Sequence, residues 1–230
     1  MQRQMSHRRR SQVAATVVTA VVVVALFVVM SGGGSARPAV TNAVAPTAEL
    51  AGLPHADMTL GEPDAAVTIN EYGDLQCTAC RVFAAHVLPK VIDRLVKPGA
   101  AKLSFHNWTI IDQTDSVAAA EASYAAGRQS RSWEFIELFY RNQGQERSGY
   151  VTDAFLDHLA RSARLDVARF DRDRRAPAMA DRLRQDWREA LAYGFQGTPS
   201  FAVRGPRGTR VLEGVPDSVQ PFDDAVQAVR

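Results

Sequence analysis

Cysteine is scarce in this chain. There are two, Cys77 and Cys80, and their separation of three residues means that no long loop can be closed by a disulfide between them. Stability has to come from an ordinary apolar core, and both sulfurs are left for chemistry. Lysine is scarcer still for the size of the chain, standing only at Lys90, Lys97 and Lys102. The remaining basic charge is arginine interleaved with carboxylates, the formal net charge is +2, and the footprint of a nucleic-acid-binding surface is missing. The stretch Arg161 to Arg184, broken by Asp166, Asp171, Asp173 and Asp181, reads as a solvated helical face. No second cysteine pair accompanies the first, and His86, His106 and His158 share no ligand spacing, so neither a structural zinc nor a resident cofactor is expected. With 46% hydrophobic and 23% charged residues, the composition excludes wholesale disorder and fits one globular domain plus an accessory segment.

One long apolar run is present. Residues Val13 to Met30 carry no charge and approach the length that crosses a bilayer as a helix. Arg3, His7, Arg8, Arg9 and Arg10 precede the run, whereas only Arg37 follows it closely, so the positive-inside rule keeps the first residues in the cytoplasm. The expected organisation is a cytoplasmic segment 1–11, a transmembrane signal anchor 12–30, a flexible linker 31–57 and a folded domain 58–230 outside the cytoplasmic membrane. Cleavage near Gly34, Ser35 and Ala36 is the alternative, and it would release a secreted domain. Signal peptides carry apolar cores of about 7 to 15 residues, and the greater length here favours a retained anchor.

Between Ser31 and Ala56 the sequence is rich in Gly, Ser, Ala and Pro and lacks periodicity, which suits a spacer with no packed structure. A turn containing Gly61, Pro63 and Asp64 leads into AVTINEY, a strand whose inward face reads Val67, Ile69, Glu71. After Cys80, apolar residues recur at Phe83, Val87, Val91 and Leu95, predicting a helix that is kinked at Pro89 and ends at Pro98 and Gly99. A second strand runs from Lys102 to Thr109, making a parallel crossover unit. From about Asp115 to Tyr193 the pattern is helical, with core clusters at Trp133 to Tyr140 and Phe155 to Leu159, and Pro177 opening the last helix. The strands Ser200 to Arg204 and Thr209 to Glu213 then flank a turn at Gly205 to Gly208. Val219, Phe222, Val226 and Val229 mark a closing helix. The fold class is α/β, with order βαβ, helical block, ββα.

Cys77, Thr78, Ala79 and Cys80 stand where a strand ends and a helix begins. Unpaired N–H groups and the positive helix end stabilise a thiolate there, lowering a cysteine pKa from about 8.5 into the range of roughly 3.5 to 7.5. Cys77 is then a nucleophile, and Cys80, one helical turn later, can attack a mixed disulfide formed on it. Half a zinc site or an inert structural disulfide are the bland alternatives. Glu71 sits on a core face, where a carboxylate is costly unless it has a partner or a task; a strand-end glutamate that reaches water is the plain alternative. Asp74 reads as a turn residue. Pro199, from the residues alone, reads equally as a trans proline opening a strand.

The segments YGDLQCTAC after one strand and GTPSF before another resemble the active-site segments of DsbA-like proteins in the thioredoxin superfamily, over roughly Met58 to Arg230. The resemblance implies a thioredoxin-like fold with a helical block inserted at about 115–193. It also implies that Pro199 is a cis proline facing the cysteines, that the backbone of Thr198 pairs with substrate, and that Glu71 accepts the proton of Cys80, burial raising its pKa into a useful range. The expected activity is thiol:disulfide exchange through a redox-active Cys77–Cys80 disulfide that oxidises thiol pairs of exported proteins. A membrane redox partner would recycle the dithiol. An extracytoplasmic reductase or isomerase is the first rival, although the spacer is short and unpatterned for a dimerisation domain. A tethered binding module with a structural cysteine clip is the second; Glu71 and Pro199 weigh against it.

Overall fold

The computed structural model describes residues 48–230. The expected cytoplasmic segment, membrane span and most of the linker lie outside the described residues, and among the described residues no helix is long and apolar enough to cross a membrane. Six strands form one sheet in the order β1-β2-β4-β3-β5-β6. Their ranges are β1 His55–Ala56, β2 Thr59–Leu60, β3 Thr68–Gly73, β4 Lys102–Asn107, β5 Ser200–Gly205 and β6 Gly208–Glu213. β3 lies near the middle, parallel to β4 and antiparallel to β5, with Glu71 opposite Phe105 on one side and Phe201 on the other.

Between β3 and β4 run α1 (Thr78–His86), α2 (Leu88–Val91) and a π-turn at Ile92–Val96. The inserted block holds α3 (Asp115–Gly127), α4 (Ser132–Arg141), α5 (Asp153–Ser162), α6 (Val167–Arg174) and α7 (Pro177–Ala192), and α8 (Gln220–Val229) closes the chain. Helix starts follow local chemistry: Thr152 accepts from the Phe155 N–H at 3.2 Å, Asp166 from Arg169 N–H at 3.0 Å, and Pro177 opens α7. α3 is central to the block. Ala119, Ala120, Ala122, Ala125 and Ala126 are buried on several sides of it, and their small side chains let its neighbours approach.

Alternation along β3 divides the sheet into two faces. On the Glu71 face, Phe201 packs against Phe83 of α1 and Phe222 of α8, with ring centroids 4.7 and 4.9 Å apart. On the other face, Tyr72 stacks on His106 at 4.7 Å and meets Phe195, beneath α7.

Three expectations need correction. The packed structure begins before Met58: a 3-10 turn at Ala48–Leu50 buries Leu50, and β1 and β2 form a hairpin at Asp57, whose φ is 53°. This part of the expected linker is held by long-range bonds, since the Asp57 carbonyl accepts from Ser132 Oγ at 2.5 Å and its carboxylate from Arg182 Nη1 at 2.7 Å. Two-residue strands carry too little alternation to be seen in sequence. Pro89 does more than kink a continuous helix: regular helix stops at His86, and α2 starts anew after Val87 with Pro89 in its first turn. A proline there lacks an N–H and crowds the carbonyl four residues back. Finally, the hairpin turn is tighter than expected, because Gly205 pairs with Gly208 across Pro206 and Arg207.

Gly205 also has no room for a side chain, since a Cβ would sit 2.4 Å from the Val229 carbonyl oxygen. Gly205→Ala should therefore destabilise the domain by about 1–3 kcal/mol through overpacking of α8 against β5, measured by urea unfolding. An unchanged midpoint would show that the two elements are not in contact in solution.

Candidate active site

β3 ends at Gly73, and the chain turns through Asp74, Leu75 and Gln76 before α1 starts. Asp74 fixes that turn. Its carboxylate accepts from the N–H groups of Gln76 and Ile111, both at 2.9 Å, and its carbonyl accepts from Cys77 N–H at 2.9 Å. Cys77 is thereby placed as the N-cap of α1, in extended conformation. The loop after α4 grips the same turn from outside. Gln143 Nε2 donates to the carbonyls of Leu75 (2.7 Å) and Cys77 (3.2 Å), and Gln76 Oε1 accepts from Arg147 N–H at 3.0 Å. Thr78 N–H donates to Glu146 Oε1 at 2.8 Å.

The two sulfurs are free thiols in unlike surroundings. Cys77 is 6% exposed and Cys80 is fully buried. The Cys77 thiol donates to the Thr198 carbonyl at 3.5 Å. Its pKa is lowered from 9.0 to about 6, chiefly because the Cys80 thiol donates to the ionised sulfur; Thr198 and the N–H groups of Cys80 and Ala79 help, and burial opposes. Cys80 moves the other way. Burial pushes it well above the ordinary thiol value, and its bond to Cys77 and the charges of Cys77 and Glu71 add to that. One sulfur is ready to ionise near neutrality, while its neighbour stays protonated and sealed from water.

Glu71 is 1% exposed, neither of its carboxylate oxygens has a hydrogen-bond partner, and burial raises its pKa from 4.5 to about 8. It does not reach water as a strand-end glutamate would. Across the helix end, the Thr198–Pro199 peptide bond is cis. The structure thus brings Cys77, Cys80, Thr198 and Pro199 together at one end of the sheet, with Glu71 close enough to Cys80 to act on it electrostatically.

The family model described as thioredoxin matches residues 54–211. The chain belongs to the thioredoxin family. A probable disulfide bond formation protein D of Bacillus anthracis is 30% identical over 151 residues, covering 64% of this chain and 69% of the relative. Among solved structures, the oxidised form of BdbD from Bacillus subtilis superposes with a TM-score of 0.65 at 23% identity, over 81% of this chain and 97% of the other. A thioredoxin-like oxidoreductase from Silicibacter pomeroyi gives 0.62 at 27% identity, over 76% and 90%. Within the thioredoxin family the chain is a thiol:disulfide oxidoreductase.

Sequence reasoning did not reach the second layer of this thioredoxin-family site. Gln143 and Glu146 lie in an aperiodic polar stretch after α4, more than sixty residues from the cysteines, and no local pattern ties them to the turn. Trp133 is core, as its spacing suggests, whereas Tyr140 extends from the same helix to donate to the Asp74 carbonyl at 3.4 Å. His106, assigned no role from sequence, meets Asp186 and Glu189, their ligand atoms within 4.8 Å of one another. That group lies on the Tyr72 face, away from the cysteines, and joins α7 to the sheet: Asp186 also accepts from Asn107 N–H (2.8 Å) and Tyr124 OH (2.6 Å).

Because the folded pKa of Glu71, about 8, lies above the ordinary 4.5, the cost of burying it as an anion is absent below about pH 4.5 and grows as pH rises toward 8. Glu71→Gln carries no such charge. It should match wild type at pH 4 and exceed it by on the order of 4 kcal/mol at pH 8, read by urea unfolding of the reduced protein. The Cys77 contribution, which is lost as pH falls from 9 through 6, is common to both and cancels. A difference independent of pH would contradict the buried, unpartnered placement of Glu71.

Proposed function

We propose that this thiol:disulfide oxidoreductase is anchored in the cytoplasmic membrane by residues 12–30, with its domain outside, and that it oxidises thiol pairs of exported proteins. The observation that carries the reading is the opposed shift of the two thiols, Cys77 down to about 6 and Cys80 far up. A readily ionised Cys77 makes the reduced form stable and the disulfide a willing electron acceptor. The relative's name, disulfide bond formation protein, supports that direction. The apolar run and the arginines before it support the location, and disulfides form and persist outside the cytoplasm.

In the proposed reaction, a substrate thiolate attacks Cys77 of the disulfide, forming a mixed disulfide and releasing Cys80 as a thiolate. Protonated Glu71 supplies the proton that the buried Cys80 sulfur needs. The second substrate thiol, deprotonated, then attacks the substrate sulfur, and Cys77 leaves as a stabilised thiolate. Two electrons pass to the enzyme and the substrate gains one disulfide. In reverse, and during recycling by a membrane redox partner, Glu71 takes the Cys80 proton so that Cys80 can displace whatever is bound at Cys77. The edge of Thr198 beside Pro199 faces the sulfur and offers backbone groups to an extended substrate.

Cys77→Ser should abolish oxidation of a dithiol peptide, and a variant as active as wild type would remove Cys77 from the mechanism. Equilibration with glutathione buffers sets the direction: a potential well above about −270 mV, the value of a reducing thioredoxin, is expected, and one near it would exclude the oxidase. For the anchor, the full chain should stay with membranes through an alkaline wash and be digested by protease added outside spheroplasts. Release into the soluble fraction at full length would refute anchoring.

A further inference from the structure

The start of a helix leaves its first N–H groups without carbonyl partners inside the helix. In α1 these belong to Thr78, Ala79 and Cys80, since Arg81 N–H already returns to the Cys77 carbonyl at 3.1 Å. The Ala79 and Cys80 N–H groups favour the ionised Cys77 sulfur. The Thr78 N–H goes elsewhere, to a carboxylate oxygen of Glu146 at 2.8 Å.

Glu146 is held there by its loop. Gln143 on one side bonds the carbonyls of Leu75 and Cys77, and Arg147 on the other bonds Gln76 through its N–H and the Ile111 carbonyl through Nε at 2.7 Å. Gly149 N–H donates to Asp115 at 2.9 Å, tying the far end of the loop to the start of α3. The Arg147 guanidinium hydrogen-bonds a neutral carbonyl through Nε. A carboxylate is thus placed beside the residue that must become an anion. It stabilises the positive end of the helix, as any acidic group does there, and it competes with the thiolate for the same field.

We propose that Glu146 is a positioning residue of the redox site, whose carboxylate occupies the Thr78 N–H and opposes ionisation of Cys77, so that the disulfide is a weaker oxidant than the bare helix end would make it. The inference rests on Cys77 being the nucleophile. Glu146 touches neither substrate nor sulfur; it acts through the Thr78 amide and through its charge.

The test uses the full chain in detergent, as wild type, Glu146→Gln and Glu146→Ala. Thiolate absorbance is followed from pH 4 to 10, and reduced and oxidised forms are equilibrated with glutathione. The chain has two cysteines, both in this site, so every thiolate signal reports on it. Glu146→Gln keeps an oxygen to accept from Thr78 and removes the charge. It should shift the glutathione equilibrium toward the reduced protein by about three- to tenfold and lower the Cys77 titration midpoint correspondingly. The shift should shrink in 1 M salt, because the group is half-exposed. Identical midpoints and equilibria in wild type and Glu146→Gln would overturn the proposal, as would a change seen in Glu146→Ala alone, which would assign the effect to the lost hydrogen bond. A wild-type thiol titrating at the ordinary value would instead overturn the nucleophilic role of Cys77, and this inference with it.

Discussion

The site depends on a contest between burial and hydrogen bonding over two sulfurs one helical turn apart. Burial alone would raise both thiols, as it raises Glu71. Cys77 escapes because, as the N-cap of α1, it is met by donors: the Cys80 thiol first, then the Thr198 side chain and the backbone N–H groups of Cys80 and Ala79. Cys80 is inside the helix, gives its own proton to that arrangement, and receives nothing comparable. The pair is asymmetric because of where the chain changes from strand to helix.

The rest of the fold holds that junction still. The sheet places β3 between β4 and β5, so that the turn after Gly73 and the cis peptide before β5 come to the same end. Asp74 anchors the turn from within. The inserted helices contribute from without, through the loop after α4, whose Gln143 and Glu146 take the polar groups that the turn exposes. The helical block is therefore part of the redox machinery's scaffold as well as, through α7, a cover for the Tyr72 face of the sheet.

Much of this was legible in the residues. Period-2 alternation revealed β3 and β4, the apolar rhythm after Cys80 revealed a helix, and Pro177 marked a helix start at its own position. Glu71 stood out because a charge interrupted an apolar face. What stayed hidden was non-local or very short. β1 and β2 have two residues each, and their stability comes from pairing with β4 and from Trp133, far along the chain. The break at Val87 requires knowing which carbonyl the Pro89 ring would strike. Glu146 is an ordinary surface-type residue by every local measure, and its place beside Thr78 follows only from how the loop after α4 is pinned.

Having no thiol outside the site, the protein has no sacrificial cysteine. An oxidant such as a peroxide that reaches the domain meets Cys77, the more exposed and more readily ionised of the two, and converts it to a sulfenic acid. Cys80, a turn away and protonated, condenses with that product, losing water and closing the Cys77–Cys80 disulfide. Chemical stress on this chain therefore returns it to the disulfide rather than to a dead end, for as long as the buried thiol reacts faster than a second equivalent of oxidant.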